Sequence, residues 1–284
     1  MSCAELVPQV FRQPDRLSRS SGQSVYEEQF VKGWPTVPRS EPSVVPVGGA
    51  TARDARLLRR RHALVVVLTF LTGAADAVGF LALGGAFSSV MTGNMVLLGL
   101  SAGRGNAELA VTAGSAIVSF IAGVLAGARV AGAARPDDPV WPRRVTTALG
   151  LELLVFLAFL VVWEVNLPDH SERVDLTLLM LSAAALGVQS SAIQRFGVPG
   201  LSSTYLTGTL TSLIGGVAAR SPWHRLRPKA EILLALMCGA AVGALVALHQ
   251  PAWAPALLLV PLVTVIAVAA RMPQEPAVES PASV

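Results

Sequence analysis

Residues 64–83 read LVVVLTFLTGAADAVGFLAL, close to the roughly 20 apolar residues that cross the hydrocarbon core of a bilayer, with Asp76 as their only charge. An acid at the bilayer centre costs about 2.5–3.5 kcal/mol on insertion scales, so it faces a polar cavity or a partner rather than lipid. Met91-Thr92-Gly93-Asn94 follows, polar within a second apolar setting. A related Leu206-Thr207-Gly208-Thr209 lies in the second half of the chain. The pairing of these motifs organises the rest of the reading.

Hydrophobic residues make up 52% of the chain and charged ones 14%, which is too apolar for a soluble protein of 284 residues. The sequence specifies an all-α, polytopic integral membrane protein. Its basic balance does not point to nucleic acid, because the arginines sit in short segments flanking apolar runs, where they act as topology signals. Cys3 and Cys238 suggest neither a disulfide framework nor a metal site. The four histidines fall at span ends or in loops without metal spacing. No nucleophile–base pair or phosphate loop stands out, so the reading assigns no enzymatic activity and no cofactor.

Residues 1–60, rich in Pro, Ser, Gly and Arg, read as a disordered basic cytoplasmic tail, and 272–284 as a short disordered one. Between them, 61–271 form the membrane domain. Long apolar segments lie at about 63–83, 109–131, 145–163, 175–194, 231–249 and 253–271. Two shorter ones, about 86–101 and 201–219, carry the Thr-Gly motifs.

Loop charge decides how many segments cross. Arg129, Arg135, Arg143 and Arg144 mark 129–144, and Arg220, Arg225, Arg227 and Lys229 mark 220–229. The segment 164–175 is mostly acidic, with Glu164, Asp169, Glu172 and Asp175 around Arg173. Six spans, with cytoplasmic N- and C-termini, place every basic loop inside as the positive-inside rule demands. Eight spans do not. The Thr-Gly segments are therefore expected to be re-entrant or broken, entering without crossing.

A weak internal repeat supports this arrangement. Gly73-Ala74-Ala75-Asp76-Ala77 aligns with Gly187-Val188-Gln189-Ser190-Ser191, and a Thr-Gly motif follows each. The next helix of the first copy carries Ser115, Ser119, Gly123 and Gly127; that of the second carries Ala235, Gly239, Gly243 and Ala247. Four-residue spacing puts each set on one face, where small side chains let helices approach closely in lipid. Three spans per copy is an odd number, so repeat 2 (175–271) enters inverted relative to repeat 1 (63–163). In inverted-repeat transporters the site lies near the repeat interface. The two Thr-Gly segments are then expected to meet at the midplane.

Gly-x-x-Asp-Ala at 73–77, Met-Thr-Gly-Asn at 91–94, Gly-x-Gln at 187–189 and Thr-Gly-Thr at 207–209 resemble the YoaK family. This is a bacterial family of unknown function whose members are expected to be six-span inner-membrane proteins. The resemblance covers about 63–271 and supplies no substrate. Ser190 departs from it, standing where the family implies Asn.

The residues expected to line a solute or ion path are Asp76, Thr92, Gly93, Asn94, Gln189, Thr207, Gly208 and Thr209. For each, the competing role is structural: Asp76 as an acceptor for the Thr-Gly segment or Gln189, and the Thr-Gly motifs as tight helix crossings. Glu152 is read as pairing with Arg144 or Arg129 in preference to acting as a second coupling acid, and Arg195 as an interfacial anchor. The leading function is a small-solute or ion transporter or channel of the bacterial plasma membrane. The alternative is a non-transport scaffold or accessory protein. Partners are the bilayer and an unidentified solute or ion. The small-residue ridges suit a second copy of the chain as well as the same bundle, which leaves the oligomeric state open.

Overall fold

The computed structural model describes residues 52–135, 138–168, 170–196 and 206–274. The expectations for residues 1–51, 275–284 and Cys3 lie outside these. All regular structure described is helical. The helices are α1 (Ala52–Ala82), α2 (Met91–Arg104), α3 (Ala107–Ala131), α4 (Arg143–Val165), α5 (Glu172–Gln194), α6 (Leu206–Ala218), α7 (Trp223–His249) and α8 (Ala254–Ala269), with a 3₁₀ turn at Pro251–Trp253. Six of them are long and apolar enough to cross a membrane: α1, α3, α4, α5, α7, and α8 taken with its preceding turn. The chain is thus a helical multi-pass membrane protein.

α1 starts earlier than expected. Its first turns take in Arg53 to Arg60, expected in the tail, because arginine is a good helix former and the apolar run propagates the helix backwards. α1 ends where Gly84 and Gly85 adopt φ of 97° and 80°, a left-handed conformation that glycine tolerates and that halts the helix. α2 ends the same way at Gly105 (φ 65°), and Asn106 immediately caps α3 by accepting from the Leu109 amide at 3.0 Å. At the other end of the bundle, Met272 and Gln274 are docked rather than part of a loose tail. Met272 is buried, and Gln274 donates to the Trp141 carbonyl at 3.2 Å.

α1 and α5 form the centre, with 67% and 72% of their apolar windows buried against 22–33% for the other four. α1 packs mainly on α7 and also on α8; α5 packs mainly on α3 and also on α4. The outward residues of the ring, such as Val118, Ile121, Leu154, Met237 and Leu245, are large and apolar, as a lipid-facing surface requires. α2 (14 residues) and α6 (13 residues) rise only about 20 Å, short of the roughly 30 Å hydrocarbon core.

Candidate functional site

The linker from α1 to α2 is held by side chains. Asp76 accepts from the Ser89 amide at 2.6 Å and from the Ser89 hydroxyl at 2.5 Å. Asn94 engages both polar groups of one peptide residue: the Phe87 amide donates to its Oδ1 at 2.9 Å, and its Nδ2 donates to the Phe87 carbonyl at 2.7 Å. Ser88 Oγ donates to the Ala75 carbonyl at 3.3 Å. Asp76 and Asn94 thereby supply hydrogen-bond partners for the backbone of this linker. A carboxylate at the start of α2 also suits the positive end of that helix.

The motif residues are not all gathered there. Thr92 is exposed beside the buried Asn94, and Gly93 lies against the Phe87 ring and Val90. In α6, Thr207 and Gly208 are exposed while Thr209 is buried. Both motifs sit in the first turns of continuous helices instead of breaking them. The expected meeting of the two Thr-Gly segments is not found among the described residues. α2 packs on α3 and α6 on α7, so the small-residue helix of the same half intervenes.

What the bundle does bring together is a polar row along α1 and α5. Thr69, Thr72 and Asp76 on α1, and Ser182, Gln189 and Ser190 on α5, are all buried. Gln189 donates to the Thr72 hydroxyl at 2.8 Å and, weakly, to the Leu68 carbonyl at 3.4 Å. Its Oε1 has no partner among the described residues.

Two expectations fail. Glu152 does not pair with Arg144 or Arg129. It falls in the inward stripe Val145, Leu149, Glu152, Phe156, Phe159, Trp163, whereas both arginines are exposed. Glu152 is fully buried, and neither carboxylate oxygen finds a hydrogen-bond partner among the described residues. Arg195 is no interfacial anchor either. It is 8% exposed and bonds both oxygens of Asp138, at 2.8 and 3.0 Å. Asp138 lies outside the spans. Burial pushes its carboxyl up, but the Arg135 amide and the Arg195 guanidinium outweigh this and hold it below the usual carboxylate range.

The small-residue faces make backbone-to-backbone crossings. A Cβ on Gly239 would strike the Phe70 carbonyl, and one on Gly243 would crowd Ala74. Added at Gly123 it would strike the Ala184 carbonyl, and at Gly127 the Ser191 hydroxyl and Val188. Ser119 is buried on the same face of α3, and Ser115 is half-buried.

A cluster that sequence reading left without a role joins α1 to α7. His62 Nε2 and Arg227 Nε each meet one oxygen of Glu231 at 2.7 Å. Only the recurrence of opposite charges at the starts of two apolar runs could have signalled it.

Residues 64–270 match the family described as "Protein of unknown function (DUF1275)". The chain belongs to the DUF1275 family. It is 32% identical over 215 residues to "UPF0700 transmembrane protein YoaK" of Bacillus subtilis (strain 168), covering 73% of this chain and 92% of that relative. No solved structure matches. The family tie covers the whole membrane domain and fits the six apolar helices.

Proposed function

We propose that this DUF1275 protein is a small-solute or ion permeation protein of the bacterial plasma membrane, built from two inverted halves that meet along α1 and α5. The observation that carries the reading is an exchange of contacts. A Cβ on Gly73 of α1 would strike the Leu236 carbonyl and the Ala240 amide of α7; on Gly187 of α5 it would strike the Phe120 carbonyl and the Val124 amide of α3. Phe70 and Ala74 face Gly239 and Gly243 as Ala184 and Val188 face Gly123 and Gly127. When Gly73 is aligned with Gly187, each contact of one half maps onto a contact of the other. Halves of three spans related in this way run in opposite directions, and sites in such folds form near the repeat interface.

On this reading the α1–α5 row is the path, closed in the conformation described. Asp76 supplies the charge that selects or couples, and Thr72 and Gln189 supply exchangeable hydrogen bonds. The short α2 and α6 enter without crossing, and both termini are cytoplasmic. Single cysteines at Arg104, Asp137 and Arg173 test this topology: an impermeant thiol reagent should label the first and third in intact cells and leave the second unlabelled.

One observation favours the scaffold alternative: the acceptor oxygens of Asp76 are already engaged by the linker at Ser89. Flux separates the two readings. Purified protein in liposomes is tested against protons, sodium, potassium and small neutral solutes, with Asp76→Asn beside it. A permeation protein passes at least one of these, and the variant loses that flux while still inserting. If no solute passes and Asp76→Asn alters only the melting temperature, the protein is a scaffold.

A further inference from the structure

The starts of α1 and α7 enclose a cleft of about 800 Å³ that includes Arg59, Arg61, His62, Arg227 and Glu231 in its lining. Three arginines stand there against one glutamate. Glu231 is already engaged by His62 and Arg227, while Arg61 lies 5.3 Å from the centre of the Phe196 ring. Arg59 is exposed, with no hydrogen bond or ion pair to other described residues. The cleft thus presents uncompensated positive charge. The exposed Trp223 sits one turn from Arg227, at the depth where an aromatic residue meets the lipid headgroups.

The cleft continues into an apolar groove. Val66 and Val67 line both, and the groove runs on past Phe70 between Ala235 of α7 and Val260, Pro261 and Thr264 of α8. The Thr264 hydroxyl is turned back onto the Val260 carbonyl at 2.7 Å, so that wall offers little polarity. Along α1, the step from Arg59 to Val66 is about 10 Å. A cationic mouth at headgroup depth, opening into an apolar trough that leads into the membrane, complements one class of molecule.

We infer that this groove binds an anionic phospholipid, with its phosphate on Arg59, Arg61 and Arg227 and an acyl chain along Val66, Val67 and Phe70. Basic pockets between transmembrane helices recognise anionic headgroups. The site does not depend on any transport activity.

The test is native mass spectrometry of the detergent-purified full chain with phosphatidylglycerol or phosphatidylcholine of identical acyl chains. Phosphatidylglycerol should be retained in preference, and Arg59→Gln should weaken it about fivefold, the equivalent of one surface arginine. Val67→Trp, which fills the trough, should remove it. Millimolar inorganic phosphate should not displace it. Equal retention of the two lipids, or unchanged binding in Arg59→Gln, overturns the proposal. Full displacement by phosphate would make this a free-anion site and overturn it too. Should Val67→Trp fail to fold, Arg59→Gln decides alone, since it changes only an exposed side chain.

Discussion

Gln189 of α5 donates to Thr72 of α1 at 2.8 Å, and Thr72 itself donates to the Leu68 carbonyl at 2.9 Å. The Thr72 hydroxyl is therefore used in both directions where the two most buried helices of the bundle meet. Interhelical hydrogen bonds in membranes are worth about 0.6 kcal/mol on average and up to about 1.7, because alternative partners exist in the unfolded state. A double-mutant cycle of Thr72→Val and Gln189→Leu, read by reversible unfolding in mixed micelles, should give a coupling within that range. A coupling of zero would mean the two side chains merely lie side by side.

Gly123 and Gly239 should be equally intolerant of bulk. Leucine at either position forces apart backbones that are in direct contact, and loss of the monodisperse folded peak in gel filtration is the expected result. Gly150 and Gly208 have open space where a Cβ would go. Alanine there should be accepted and should raise stability by up to about 1 kcal/mol through helix propensity.

Glu152→Gln should melt at the same or a higher temperature than the parent. Gln keeps the shape and carries no charge, and an uncompensated buried charge costs several kcal/mol. Glu152→Lys should prevent accumulation in the membrane. A sharp loss of stability in Glu152→Gln would reveal a cationic partner outside the described residues.

Asp138 links stability to pH. Its carboxyl titrates below the ordinary value near 3.9, so its pairing with Arg195 stabilises the fold fully above that value and is lost as pH falls through the lower folded value. The difference in melting temperature between the parent and Asp138→Asn should be flat near neutrality and close under acid. The size should be on the order of 1 kcal/mol, since the carboxylate is partly exposed. Trp141, whose ring centre lies 5.0 Å from that of Phe196 at a tilt of 50°, gives a fluorescence readout.

The spans and the Gly123 and Gly239 faces could be read from the chain because apolar length and four-residue spacing are local properties. The partner of Arg195 could not, since Asp138 lies 57 positions away across a loop. Glu152 misled because Arg144 is close in sequence, yet eight residues set the two about 12 Å apart along the helix, with Arg144 exposed in its first turn and Glu152 buried. Asp76 and Asn94 stand out in the chain as polar groups in an apolar setting. That their acceptors and donors would close on Ser89 and Phe87 depends on how the Gly84-Gly85 turn folds back, which no spacing reveals.

The crossings of α1 with α7 and of α3 with α5 also bear on biogenesis. Neither half contains the partner for its own central helix, so α3 leaves the ribosome before α5 exists, and α1 waits through nearly the whole of synthesis for α7. Two separately expressed halves, divided between α4 and α5, should therefore be degraded when produced alone and recovered when produced together.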